Sequence, residues 1–476
     1  MTLPTISRSQ NVGLVRGLGL LAAAAILIGD VIGSGVFLKA RVMTCNVETP
    51  GLVVLVWIVA GLLSLTGALT YAELSAMMPR AGGEYVFIRQ AYGPLLGFLY
   101  GWTRFWVAST GAMAGLAAGF AIFINVVTNG LLANYQWTLE PAGWRLSMTG
   151  LQGAAIAALL VVTTLNCAAI AFSGRVASAF TVLKIALVLT VGIGALLLAD
   201  GSWTHFALSN DGGACGEVPA AARGGAAGFG AAMLGALWAY NGWNEVTYVA
   251  EEVKDPRRNL PLAIIGGISV IALLYVFVNA AYFYVLTPTE IAGLSASSSV
   301  ATEVITRVLG PSAASAMAGV LAMSIFGSLL IASLVCARIP YAMARDGLFF
   351  RGLSRVSPRT RVPIRALFAQ AAWAIVLVLS GSFDTLTDYA VFSILIFVSL
   401  ATASVFVFRR TLPDAERGYR TWGYPVVPAL FLLVSGWLVI NTLLTTPGRA
   451  LAGLTLMAVG LPFYWYWSSY PARSSA

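Results

Sequence analysis

The 476-residue sequence has one histidine, His205, and four cysteines, with no cluster among them. Metal centres need several His, Cys, Asp or Glu ligands at fixed spacing, and nucleophilic catalysis needs a Ser or Cys beside a base. Neither pattern occurs, so the chain reads as a non-enzyme with no metal and no cofactor. Charge is scarce too: 10% of residues are charged against 59% hydrophobic, with a mean hydropathy of +0.84. That composition belongs to a polytopic membrane protein rather than to a large soluble core. The net charge of +9 would suggest nucleic acid in a soluble chain. Here it follows from the placement of arginine, and no nucleic-acid partner is expected; the bulk partner is the lipid bilayer.

Apolar runs at 17–38, 51–76, 95–127, 150–171, 177–199, 226–250, 262–286, 312–336, 364–380, 386–408, 426–446 and 450–468 predict twelve spans. Each can cross ~30 Å of hydrocarbon, the ninth only marginally. Residues 1–16 are polar and the first apolar run is long enough to span, so no cleavable signal is read. The tails, roughly 16 and under 10 residues, have no room for a catalytic or signalling domain. With the N-terminus inside, 20 of the 28 Lys and Arg fall on the cytoplasmic side and 6 outside, leaving Arg104 and Lys184 within spans. That bias places both termini in the cytoplasm of a cell inner (plasma) membrane. The basic loop Arg338–Arg365 is then topogenic.

Two spans are poorly made as helices. The first contains Asp30-Val31-Ile32-Gly33-Ser34-Gly35, a carboxylate followed by two glycines around a serine. Unwound backbone is tolerated at bilayer depth only where protein or a wet cavity receives its N–H and C=O groups. Close packing of small residues is the competing explanation for such a stretch. The sixth span carries a similar interruption, Trp238-Ala239-Tyr240-Asn241-Gly242-Trp243-Asn244-Glu245. The two are five helices apart, an odd number, so they enter from opposite sides. This is the pattern of an inverted five-plus-five repeat with discontinuous helices meeting at a midplane site. Half-helix N-termini would face a substrate carboxylate and freed carbonyls its ammonium group, as a free amino acid requires. The predicted organisation is tail 1–16, first repeat 17–199, outside loop 200–225, second repeat 226–408, and helices eleven and twelve with a short tail at 409–476.

Gly29 to Phe37, Tyr71-Ala72-Glu73-Leu74 through Gly82-Gly83-Glu84-Tyr85, and Trp238 to Pro261 together resemble the amino acid–polyamine–organocation superfamily. Val249-Ala250-Glu251-Glu252-Val253-Lys254-Asp255-Pro256 and Ala337-Arg338-Ile339-Pro340-Tyr341-Ala342-Met343-Ala344-Arg345-Asp346-Gly347 are similar to its L-type amino acid transporter branch. The resemblance covers nearly the whole chain. It implies an all-α membrane protein of the leucine-transporter fold, alternating access and amino acid substrates. It places a substrate carboxylate on Ser34 and Gly35 of the Gly33-Ser34-Gly35 break. The ammonium falls to carbonyls of Asp30, Val31 and Ile32 and of Trp238, Ala239 and Asn241, with Tyr240 and Gly242 in the same break. Trp238 is the implied aromatic gate, and Val107 and Ala108 shape the side-chain pocket.

A lysine inside a span costs a few kcal/mol and needs a reason. Lys184 matches the helix-five lysine that replaces a bound sodium in sodium-independent relatives, bridging helices one and eight, with Ser333 as a partner on helix eight. Snorkelling to the cytoplasmic face is the alternative. Asp30 reads as a counter-ion to Lys184, with a protonation site or a preference for cationic substrates as alternatives; Glu245 raises the same question. Relatives that accept cations often carry aspartate where this chain has Asn241, which argues for neutral substrates. Leu330 and Ile331 make helix eight more apolar than in many relatives, which argues against a polar contact from it to the substrate and for an apolar side-chain pocket. Cys45 and Cys215 both fall in outside loops, where an oxidising exterior allows a disulfide, while Cys167 and Cys336 are read as packing residues. Heteromeric animal relatives link to a glycoprotein through a cysteine between helices three and four. The loop 128–149 has none, so no disulfide-linked heavy chain is expected; a homodimer is left open. The resulting expectation is sodium-independent exchange or facilitated movement of neutral amino acids. The rivals are a proton-coupled symporter and a sensor that binds without transport.

Overall fold

The computed structural model describes residues 14, 16–139, 146–168, 170–211, 214–295, 299–380 and 383–469. The N-terminal tail to residue 13, Arg145 and the C-terminal tail from residue 470 lie outside them.

Helix α1 (Leu20–Val31) stops and resumes as α2 (Gly35–Leu38) and α3 (Ala40–Val47). α4 (Pro50–Met77) starts cleanly because Pro50 needs no N–H partner and the Thr49 hydroxyl accepts the Leu52 N–H. α5 (Glu84–Tyr92) fills the next connection. α6 (Pro94–Thr103) runs through a π-turn, Arg104–Ala108, into α7 (Ser109–Val127). The following loop holds α8 (Leu131–Asn134) and an antiparallel hairpin, β1 (Gln136–Leu139) with β2 (Leu146–Thr149), Gln136 opposite Thr149. α9 (Gly150–Asn166), α10 (Ile170–Leu198) and α11 (Gly225–Tyr240) follow, then a 3₁₀ segment, Glu245–Glu252, and α12 (Pro256–Val285). α13 (Pro288–Gly293) and α14 (Val300–Leu309) lead to α15 (Pro311–Cys336) and α16 (Arg338–Arg345). The chain closes with α17 (Ile364–Ser380), α18 (Phe383–Thr411), α19 (Val426–Thr445), α20 (Pro447–Ala458) and α21 (Gly460–Ser469).

Eight helical stretches among the described residues are long and apolar enough to cross a membrane, and the chain is a multi-pass membrane protein. α9 and α17 are apolar but shorter. The sixth and twelfth runs are interrupted, at 241–244 and at Val459, so no single helix in either reaches spanning length. Large apolar side chains such as Leu62, Val182, Leu273 and Leu433 face outward, as hydrocarbon contact allows.

α1 packs on α10, α12 and α15, and α7 packs on α9, α15 and α18. Cys45 and Cys215 are disulfide-bonded with Cα atoms 5.5 Å apart, which ties α3 to the 200–225 loop. The prolines of Lys254–Pro261 read in the sequence as bracketing a turn, but Pro261 sits inside α12, which begins at Pro256. Asp255 takes φ +43° to redirect the chain, and a proline this near the helix start removes only one early N–H.

Candidate functional site

Both interruptions are present as breaks in the helices. After Val31 the backbone leaves helical geometry at Ile32 (ψ 83°), and α2 starts at Gly35. After Tyr240, Asn241 is extended (φ −62°, ψ 144°) and Gly242 takes φ +106°, a left-handed conformation that favours glycine. A Cβ on Gly35 would lie 2.5 Å from the Ala239 Cα, so the two broken helices touch backbone to backbone there. Close packing and chain break, competing explanations in the sequence, are therefore one feature at this residue.

The Ser34, Gly35 and Val36 N–H groups find no acceptor among the described residues, and the Ser34 hydroxyl is buried without a partner. Ser34 and Gly35 line a cavity of about 30 Å³ with Asp30, Val31 and Gly33, and Val36 follows them just outside its lining. Trp238, Asn241 and Glu245 close it from the sixth span, Ala112 and Leu116 from α7, Ala332 and Cys336 from α15. Trp238 is 7% exposed and packs on Ala112. Beyond it, past Leu234 and Gly235, a wider vestibule of about 170 Å³ carries Lys39, Arg41 and Asn46 on its walls.

Several expected carbonyls are already engaged. The Tyr275 hydroxyl lies 2.9 Å from the Val31 carbonyl and 3.0 Å from that of Ala239, so it joins the two breaks, donating its one proton to either. The Ile32 carbonyl accepts from Ser328 Oγ at 3.1 Å, and that of Trp238 from the Asn241 N–H at 3.1 Å. Nothing in the spacing of Tyr275 singled it out.

Lys184 is fully buried and donates to the Gly29 carbonyl and to Ser328 Oγ. It bridges the first span and α15 by neutral oxygens, not by snorkelling. Ser328 in turn donates to Gly29 or Ile32, both 3.1 Å away. Ser333 is not its partner. It lies about 140° around the helix from Ser328, and its hydroxyl has no partner while its carbonyl accepts from Gln370. The helix-eight contact to Lys184 that was expected at Ser333 is thus made by Ser328.

Asp30 and Lys184 form no ion pair within 4.0 Å. The lysine ammonium is turned to Gly29 and Ser328, and the Asp30 carboxylate is turned toward Gly242, where a Cβ would lie 2.6 Å from Oδ2. It lies within reach of the Glu245 carboxyl, which also lines the cavity. Glu245 is ion-paired with Arg104 of the π-turn, both nearly fully buried. Cys336, read as a packing residue, donates its thiol to Glu245 at 3.2 Å.

The structure brings together Asp30, Val31, Gly33, Ser34, Gly35, Trp238, Asn241 and Glu245 around one cavity. Ile32, Ala239, Tyr240 and Gly242 form the backbone of the breaks without lining it, and the Tyr240 hydroxyl donates to the Trp57 carbonyl at 3.1 Å. Val107 and Ala108 sit in the π-turn; Ala112 and Leu116, one and two turns beyond Ala108, are the lining residues. Arg104 was placed within a span by the sequence but given no role.

The sequence matches the family described as Amino acid permease over residues 18–464. It is 30% identical to the b(0,+)-type amino acid transporter 1 of Mus musculus over 463 residues, 97% of this chain and 90% of that one. It is 31% identical to the Large neutral amino acids transporter small subunit 2 of Oryctolagus cuniculus over 471 residues, 98% of this chain and 83% of that one.

Proposed function

The chain belongs to the amino acid permease family, and from that premise we propose that it carries neutral amino acids across the membrane without sodium, as an exchanger or facilitator. It is a transporter and not an enzyme. The observation that carries the site is the pair of unengaged donors at Ser34 and Gly35, lining a cavity between two broken helices. Partial positive charge at that break receives the substrate carboxylate. The ammonium goes to the carbonyl ends of α1 and α11. Ala112, Leu116 and Ala332 offer the substrate side chain apolar contact. The relatives' names, an amino acid transporter and a large neutral amino acids transporter subunit, agree with this class.

In this reading the chain has the leucine-transporter fold: twelve spans, repeats at 17–199 and 226–408, and both termini on the cytoplasmic side of the plasma membrane. Access alternates by rocking of spans one, two, six and seven, with Trp238 as the lid. Lys184 takes the place of a sodium ion, because its fixed ammonium already joins the first span to α15. The segment between α7 and α9 has no cysteine, so a disulfide-linked heavy chain is not part of the proposal.

A competition panel of common amino acids against one labelled substrate, in sodium-free proteoliposomes, tests the class. Apolar neutral amino acids are expected to compete best. Trp238→Ala is expected to raise KM about tenfold with a smaller effect on the maximal rate, and an unchanged curve would remove Trp238 from the lid.

A second reading, proton-coupled symport, is favoured by one observation: the Asp30 and Glu245 carboxyl groups line the same buried cavity. Uptake with and without an imposed pH gradient separates it from exchange.

A further inference from the structure

Three carboxylates outside the cavity are buried to 1% exposure or less: Glu73, Glu84 and Glu252. Two are neutralised by arginine, Glu73 by Arg409 and Arg417 and Glu252 by Arg338. Glu84 has no cation within 4.0 Å among the described residues. Four neutral donors surround it instead. Tyr71 of α4 donates to one oxygen, as does Asn244 Nδ2 at 2.8 Å. Tyr100 of α6 at 2.5 Å and Tyr248 at 2.8 Å donate to the other. A carboxylate has about four acceptor sites, so this one is saturated.

The sequence around Glu84 is shaped for this contact. Gly82 and Gly83 have φ of +101° and +46°, and a Cβ on Gly83 would strike Thr247 and lie 2.8 Å from the Tyr248 ring. The Gly82 N–H donates to the Tyr248 carbonyl at 3.1 Å. The two glycines therefore let the start of α5 seat directly on the segment beyond the break of the sixth span. That segment also carries Glu245, paired with Arg104, whose guanidinium lies 5.3 Å from the centre of the Tyr248 ring. On this side of the cavity Cys336 is 2% exposed.

We propose that Glu84 is the positioning residue of a gate: its carboxylate latches the distal half of the sixth span (Asn244, Tyr248) and α4 (Tyr71) onto α6 (Tyr100), and so seals the cavity from the face that carries the loops after Met77 and Glu252. The proposal rests on the transport reading, since the sixth span and α4 belong there to the part that rocks and α6 to the part that stays. Hydroxyl donors suit a joint that must open, because each can turn to water when the surfaces separate. The Glu252–Arg338 pair forms a second layer beneath it.

Cys336 serves as the reporter. With Cys167→Ser, and with Cys45 and Cys215 disulfide-bonded, it is the one free thiol. An impermeant maleimide is added separately to each face of sealed vesicles, without any amino acid present. Tyr248→Phe and Tyr100→Phe each remove one donor and leave the packing in place; Glu84→Ala removes the hub. Labelling of Cys336 is expected to rise about tenfold for Tyr248→Phe and Tyr100→Phe, from the Glu84 face only. Glu84→Ala should exceed both. Unchanged labelling in the two tyrosine variants would overturn the proposal, as would an equal rise from both faces, which marks general loosening. The assay needs no substrate, so failure of the transport reading would show in uptake and leave this result to stand or fall alone.

Discussion

Lys184 and Glu84 are two buried charges solved in opposite ways. The lysine is a cation held by oxygen acceptors, the Gly29 carbonyl and Ser328, with no carboxylate in ion-pair range. The glutamate is an anion held by hydroxyl and amide donors, with no cation in range. Both join one of the two broken spans to a neighbouring helix, yet they sit differently. Lys184 bonds to helix α1 just before its break, beside the substrate cavity. Glu84 grips the sixth span after its break, away from the cavity. Neutral partners hold each charge in place without the desolvated ion pair that Arg338 and Glu252 form. In the proposed mechanism the difference in position separates their roles: one fixes the geometry of the site, the other controls access to it.

The largest effect expected from breaking this comparison is at Lys184. Lys184→Met keeps the volume and removes the ammonium together with its bonds to Gly29 and Ser328. Labelled amino acid uptake should fall at least tenfold, with the thermal midpoint of the purified protein also lowered by the lost hydrogen bonds. Near-normal uptake would remove the lysine from the mechanism. Gly35→Ala comes next: its Cβ meets Ala239 backbone that cannot give way locally. A stability loss of about 1–3 kcal/mol is expected together with lost substrate binding, read by thermal unfolding and by ligand-induced shifts of the midpoint. Ser328→Ala should be milder, because Lys184 keeps the Gly29 carbonyl. One hydrogen bond to a charged group is worth about 1.5–3 kcal/mol, enough for a measurable drop in uptake. Ser333→Ala should have the smallest effect, within error of the parent, since its hydroxyl bonds to nothing among the described residues. If Ser333→Ala proves the more damaging of the two, the assignment of Ser328 is wrong.

The two breaks were legible in the sequence because glycine and polar residues stand where an apolar run should continue. The depth of Lys184 was legible for the same reason. Its partner was not: Ser328 and Ser333 lie on one helix, and choosing between them needs the rotation of α15 about its axis, which packing sets. Tyr275 left no signal, since a tyrosine in an apolar helix has many uses. Asp30 and Lys184 interact at a distance rather than in contact, because the ammonium turned toward a carbonyl and a hydroxyl and the carboxylate turned toward Gly242. Glu84 sat in a run that carried the family resemblance, but its four donors come from segments up to 164 residues away, and only the folded chain assembles them.

Uptake of a labelled neutral amino acid into proteoliposomes preloaded with the same unlabelled amino acid, with sodium fully replaced by choline, tests the central claim most directly. The account predicts equal counterflow with and without sodium, and loss of that counterflow in Lys184→Met. Counterflow that depends on added sodium, or that persists undiminished in Lys184→Met, would contradict it.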